Sequence, residues 1–192
     1  MQHMLEVMRG RFSDAARERG GEAWQDLAIT LNASIWIGKF LEVFKPMRLL
    51  ELGSGFSTLV LRRYLPKAAT MISADHDGAW QEFVRQQLAE RMPEDVVTFE
   101  SLKDARGALP VKFDLVFVDH GPTMETRIRD LPWVMTLADV LICDDWRQGA
   151  RGAFTRRMTA QLEMAGWKLD VLDETRSSPG GRTLCLARRV ST

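Results

Sequence analysis

Residues Met47–Leu65, MRLLELGSGFSTLVLRRYL, run from an apolar stretch into a pair of glycines and out into a helical pattern. The spacing predicts a strand over 47–52, a glycine loop, and a helix to about Leu65. Gly53 and Gly55 allow a tight turn and a close approach to a ligand that a Cβ would obstruct. Such a loop between strand and helix suits a cofactor, and its neighbours decide which one.

A triphosphate is excluded because no Gly-Lys-Ser/Thr follows to reach the β- and γ-phosphates. A dinucleotide loop is GxGxxG, and here Thr58 stands where the third glycine belongs. Glu51 lies two residues before Gly53. A carboxylate beside a pyrophosphate is repelled, by about 4 kcal/mol for a close pair near the surface, whereas a cationic cofactor is attracted. Asp75 ends the next predicted strand, 22 residues after Gly53, where an acid can accept both ribose hydroxyls of an adenosine. Together Glu51 and Asp75 favour S-adenosylmethionine, which carries an ammonium and a sulfonium and no phosphate.

Outward from this unit the chain alternates. Trp24, Leu27, Ala28, Leu31, Ile35 and Gly38 fall at helical spacing, predicting a helix from Trp24 to about Phe44 that Pro46 ends. After the glycine unit come a strand at Ala69–Ala74, a helix with Asp77 as N-cap, a third strand at VVTFES and a fourth at Phe113–Val118. A helix over about Glu125–Leu137, a fifth strand at Asp139–Cys143, and a helix marked by Phe154, Met158, Leu162 and Ala165 follow. WKLDVLDE and TLCLARRV close the chain as two strands joined by TRSSPGGR, and lacking a crossover helix they pair antiparallel. Strands apolar on both faces, alternating with helices, form a mostly parallel, doubly wound α/β sheet covered on each side. Ligands bind beyond the carboxyl ends of such strands.

The 192 residues, 45% apolar and 27% charged, are read as a single domain, with residues 1–22 as a mobile segment or part of a cap. Lys plus Arg equals Asp plus Glu at 26 each, which argues against a broad nucleic-acid surface. Cys143 and Cys185 read as buried, reduced thiols. No signal-peptide pattern and no long apolar run are present, so the expectation is a cytoplasmic protein without a membrane span. The ten methionines are read as core packing.

LLELGSGFSTL, ISADHD, FDLVFVDHGP and VLICDD resemble, in order, the motifs of class I S-adenosylmethionine-dependent methyltransferases, most closely the small-molecule, catechol-type O-methyltransferases. The similarity spans about Gly38 to Arg189, with Ser57 where the family often has a third glycine. The resemblance implies a Rossmann-like sheet of seven strands in the order 3-2-1-4-5-7-6, the seventh antiparallel. It implies cofactor contacts from Glu51, Gly53, Ser54, Gly55, Ser57, Asp75, His76 and Asp119.

In that order Asp119, at the end of the fourth strand, meets Asp144 and Asp145, at the end of the fifth. Oxygen-only sets suit Mg²⁺ or Ca²⁺, and uncompensated like charges raise at least one pKa. Three arrangements follow: a metal, a shared proton, or side chains that diverge into solvent. Metal-dependent relatives resemble this Asp and Asp-Asp pattern, and their ion orients and acidifies the acceptor hydroxyl. They carry a basic lysine three residues after the first Asp, where this chain has Pro122.

Asp119 and His120 are therefore the catalytic candidates, His120 either as base or as a hydrogen-bonding loop residue. Trp146, Arg147 and Arg151 are candidates for an acceptor pocket, the alternative being a lid over the core and a solvated helix start. Arg127 and Arg129 read as surface residues, the alternative being contact with an anionic acceptor, and Trp24, Trp36, Trp80 and Trp167 read as packing. DHGP lacks the Asn/Asp-Pro-Pro-Tyr character of nucleobase methylators, so the expected partner is a small hydroxylated molecule and no nucleic acid. The expected activity is O-methyl transfer. The alternatives are an NAD-dependent oxidoreductase and a non-catalytic cofactor binder, the latter favoured by Pro122.

Overall fold

The computed structural model describes residues 2–20, 28–108, 112–121, 123–147, 152–176 and 181–190. Its centre is the pair of strands whose residues are apolar on both faces: β1 (Arg48–Leu52) and β4 (Leu115–Val118). Leu49 and Phe117 face one side of the sheet, and Leu50, Val116 and Val118 the other. Every one of these side chains is buried, so both faces must be covered by helices.

Around them lie β2 (Thr70–Asp75), β3 (Thr98–Ser101), β5 (Val140–Arg147), β6 (Trp167–Leu172) and β7 (Arg182–Arg189). The order is β3-β2-β1-β4-β5-β7-β6, with β7 antiparallel to both its neighbours and the remaining pairs parallel. Four helices cover the first face: α1 (Gln2–Gly20), α2 (Leu31–Phe44), α3 (Phe56–Tyr64) and α4 (Gly78–Arg91). The second is covered by α5 (Leu102–Ala108), α6 (Met124–Leu137) and α7 (Ala153–Met164). The doubly wound sheet, its order and its antiparallel strand agree with the sequence reading. No helix of the described residues is long and apolar enough to cross a membrane.

Several boundaries differ, each for a local reason. The helix expected from Trp24 begins at Leu31, because Thr30 is extended and its Oγ1 accepts the Ala33 N–H at 3.0 Å; Trp24 and Leu27 lie outside the described residues. Most of the segment 1–22 is helix α1, which buries Leu5, Met8, Phe12 and Ala16. The short helix α5 was not anticipated, although Ser101-Leu-Lys-Asp104 carries its signal. Ser101 Oγ accepts the Asp104 N–H at 3.1 Å and donates to its carboxylate at 2.6 Å. Phe154, expected on the buried face of α7, is exposed, while Met158 and Leu162 are buried.

The difference that bears most on function is in β5. It does not end at Cys143 but runs through Asp144 and Asp145 to Arg147, because β7 offers Thr183 to Trp146 and Arg182 to Arg147. The register shifts between Cys143 and Trp146, and Asp145 takes φ 59°, a left-handed conformation uncommon for a side-chain-bearing residue. Cys143 and Cys185 face each other across this pair, buried and unbridged.

Three strand ends are pinned together at the glycine loop. Gly53 N–H donates to the Ala74 carbonyl at 2.8 Å, and Asp119 N–H to the Leu52 carbonyl at 2.8 Å. At Gly53, φ is +93° and an added Cβ would lie 2.4 Å from the Asp119 carbonyl oxygen. Gly55 is extended, and its nearest neighbour would be 4.0 Å away. Gly53→Ala is therefore expected to lower the unfolding free energy by at least about 2 kcal/mol, and Gly55→Ala by about 1 kcal/mol or less. Urea denaturation of the two variants checks the contrast.

Candidate active site

Beyond the carboxyl ends of β1, β2 and β4 opens a cavity of about 360 Å³. Its floor is the loop Gly53–Ser57, its sides are Asp75–Asp77, Trp80, Asp119, Gly121, Arg127 and Asp145, and Phe12, Ala16, Ala28 and Ile29 lie across it. Among these lining residues are four carboxylates and one guanidinium.

The loop is held from beneath by Glu51. Its carboxylate is fully buried and accepts three hydroxyls, from Ser57, Thr58 and Ser73, each at 2.6 Å. Every hydroxyl it holds belongs to the protein, and Glu51 is not among the residues that line the cavity. Burial outweighs the three hydrogen bonds and raises its pKa to about 7. Thr58, at the position of the missing glycine, also accepts the Gly55 N–H at 2.9 Å. That satisfies one of the free amides at the α3 N-terminus that a phosphate would use.

Asp75 occupies the end of β2 as anticipated. Its Oδ2 accepts Ser54 N–H at 2.6 Å and Ser54 Oγ–H at 2.9 Å, and its Oδ1 accepts the Asp77 N–H at 3.0 Å. His76, half exposed, places Nδ1 3.1 Å from Asp75 Oδ1. Trp80 Nε1 donates to the Ser54 carbonyl at 2.8 Å, so this tryptophan is a cavity wall as well as packing. Phe12 of α1 meets Trp80 edge-on at 6.0 Å, and Arg19 pairs with Asp77 at 2.9 Å. These contacts lay α1 over the cavity. Periodicity cannot separate an aromatic in a core from one in a cavity wall, so Trp80 reads from sequence as packing alone and Phe12 is not singled out.

The three aspartates do not converge on a common point. Asp119 and Asp145 line the cavity and Asp144 does not. Between the first two sits Arg127, read from sequence as a surface residue but buried here. Its Nη2 donates to Asp119 Oδ1 at 2.7 Å and lies 3.4 Å from Asp145 Oδ2. Its Nε donates to the His120 carbonyl at 2.8 Å and its Nη1 to the Asp144 carbonyl at 3.3 Å. Arg182 Nη1 donates to Asp145 Oδ1 at 3.1 Å. Among the described residues no group of three acidic, histidine or cysteine side chains is arranged to hold a metal. The expected set of Asp119, Asp144 and Asp145 is therefore not assembled as a site for Mg²⁺ or Ca²⁺: guanidinium groups hold Asp119 Oδ1 and both oxygens of Asp145, and Asp144 does not line the cavity. Burial raises Asp119 well above the usual carboxylate range, with Arg127 opposing and Asp144 and Asp145 adding to the rise. Burial, and next the charge of Asp145, raises Asp144 to about 6.

His120 sits behind the cavity wall, buried, with Nε2 3.0 Å from Asp130 Oδ2 and Nδ1 without a partner. Burial holds its pKa down at about 4. A ring so placed stays neutral and anchors the loop, so the structure favours the hydrogen-bonding alternative over the base. Trp146 is buried in the second core layer, away from the cavity. Arg147 is partly exposed, 3.9 Å from Asp145 Oδ1. Pro122 and Arg151 lie outside the described residues.

A sheet of this order, with an acid-lined cavity at the carboxyl ends of its central strands, defines the class I S-adenosylmethionine-dependent methyltransferases. The chain belongs to the methyltransferase domain family, which matches residues 50–162. No curated protein matches it significantly. Solved structures share the fold. TomG, an O-methyltransferase of Streptomyces achromogenes involved in tomaymycin synthesis and complexed with S-adenosylmethionine, is 20% identical over 94% of this chain and 89% of its own, with TM-score 0.75. An O-methyltransferase of Bacillus cereus, complexed with S-adenosylhomocysteine, is 15% identical over 99% of this chain and 100% of its own, with TM-score 0.73. The Podospora anserina methyltransferase PaMTH1, bound to S-adenosylhomocysteine, is 16% identical over 94% and 87%, with TM-score 0.72.

Two buried groups set opposing pH dependences. Glu51, raised from 4.5 to about 7, binds its proton more tightly when folded, so its contribution to stability is lost as pH rises across that window. His120, lowered from 6.5 to about 4, contributes stability that is lost as pH falls through the same range. Glu51→Gln removes the first effect. Its stability relative to wild type is expected to improve by up to about 3 kcal/mol between pH 4.5 and 7. Denaturation at several pH values tests this, and a flat difference would show that Glu51 titrates ordinarily.

Proposed function

We propose that the protein is an S-adenosylmethionine-dependent O-methyltransferase acting on a hydroxyl of a small metabolite. The observation that carries this is the acidic lining of the cavity: Asp75, Asp77, Asp119 and Asp145 line it, Arg19, Arg127 and Arg182 pair with the last three, and Asp75 stands at the end of β2 without a guanidinium beside it among the described residues. A ligand with a sulfonium and an ammonium is attracted there. The pyrophosphate of NAD is repelled, which disfavours the oxidoreductase alternative. The volume of about 360 Å³ falls in the range of small-molecule sites.

When bound, the cofactor supplies an electrophilic methyl group on sulfur. Asp75, held in place by Ser54 and the Asp77 amide, would accept the ribose hydroxyls. His76 and Trp80 would flank the adenosine end, and Gly53 and Gly55 would give it close approach to the backbone. Phe12, Ala16 and Ile29 exclude water from above. Arg127 engages Asp119 Oδ1, so Oδ2 would be the atom to take the proton of the acceptor hydroxyl while that oxygen takes the methyl group from sulfur and the cofactor leaves as the neutral thioether. The solved O-methyltransferases of the same fold support a hydroxyl as the acceptor.

Calorimetry with S-adenosylhomocysteine is expected to show binding, and with NAD none; the opposite result overturns the reading. Asp75→Ala is expected to weaken that binding about 10- to 100-fold. Transfer of labelled methyl from the cofactor across phenols, sugars and hydroxy acids then tests catalysis. Binding without transfer to any of them would favour the non-catalytic alternative.

A further inference from the structure

Carboxylates gathered at the ends of adjacent strands need counter-charge, and here guanidinium groups supply it. Arg127 reaches Asp119 and Asp145, Arg182 reaches Asp145, and Arg147 stands 3.9 Å from the same carboxylate. Arg127 is the organising member. It enters from α6 and is fixed on three sides: by the His120 carbonyl after β4, by the Asp144 carbonyl of β5, and by the two carboxylates between those strands. A planar guanidinium with five donors suits such a site, and it cannot deprotonate to make room for an ion. A divalent ion here would compete with Arg127 for Asp119 Oδ1 and with Arg127 and Arg182 for both oxygens of Asp145, and would sit against a fixed positive charge.

We propose that Arg127 stands in for a divalent cation, joining Asp119 and Asp145 at the acceptor end of the cavity so that methyl transfer proceeds without metal. It acts as a positioning residue: it orients Asp119 and leaves Oδ2 free for the acceptor. The inference rests on the methyltransferase reading of the same cavity.

The test uses the full chain with S-adenosylhomocysteine bound, melted with Mg²⁺, Mn²⁺ or Ca²⁺ at millimolar level and with a chelator. The wild-type melting temperature is expected not to move. Arg127→Met, which frees Asp119 and one oxygen of Asp145 while Arg182 keeps the other, is expected to gain a rise of several degrees with divalent ions. Arg127→Lys keeps the positive charge and is expected to stay insensitive. A wild-type rise with Mg²⁺ that Asp119→Asn removes overturns the proposal, as does a folded Arg127→Met protein that gains no response. Should Arg127→Met fail to fold, calorimetric titration of the wild type with Mn²⁺ decides alone: binding overturns the proposal and absence of binding supports it. Calorimetry with S-adenosylhomocysteine separates the two readings, since lost cofactor binding would sink the methyltransferase assignment whatever the metal result.

Discussion

A single buried carboxylate organises the ligand end of this sheet. Glu51 projects from β1 where water does not reach, and three hydroxyls close on it from the first turn of α3 and from β2. An unpartnered acid there would be costly, so strand, loop and helix are bound to one geometry. Everything above it inherits that geometry. The loop lies flat enough for Ser54 to point both its amide and its hydroxyl at Asp75, and Trp80 then fixes the Ser54 carbonyl from the other side. Gly53, with no side chain, completes the junction by lying against the Asp119 carbonyl.

The cavity above follows a different electrostatic rule at each end. Near Asp75 and Asp77 the acids accept backbone amides and a serine hydroxyl, and Arg19 of α1 pairs with Asp77, while no guanidinium among the described residues is paired with Asp75. Near Asp119 and Asp145 the acids are held by guanidinium groups. The first arrangement suits a positively charged ligand, and the second holds its own charge balance without one.

Most of the fold was legible because β1, β4 and β5 carry apolar residues on both faces, and only helices on both sides can bury such strands. The glycine loop and Asp75 were legible because Gly53 follows one strand and Asp75 ends the next. The contacts of Glu51 were not readable, since Ser57, Thr58 and Ser73 look like ordinary helix and strand residues. The acceptor end was less legible. Asp144-Asp145-Trp146-Arg147 has no strand alternation, and pairing with β7, about 40 residues further on, is what keeps it extended. Thr126-Arg127-Ile128-Arg129 presents two arginines on α6. Only tertiary packing decides that Arg127 is buried among carboxylates and Arg129 is 70% exposed.

The helix α1 gives the molecule a division of labour. The residues shared with the family, 50–162, build the sheet ends and the acids around the cavity. Phe12, Ala16, Ala28 and Ile29, which roof it, come from outside that span. The roof rests on the core through a few side chains and on the rim through Arg19 and Asp77, while no strand of the sheet depends on it for pairing. Inheritance and adaptation are therefore physically uncoupled: substitutions in the first 30 residues can reshape what the cavity admits while the machinery beneath stays as the family built it.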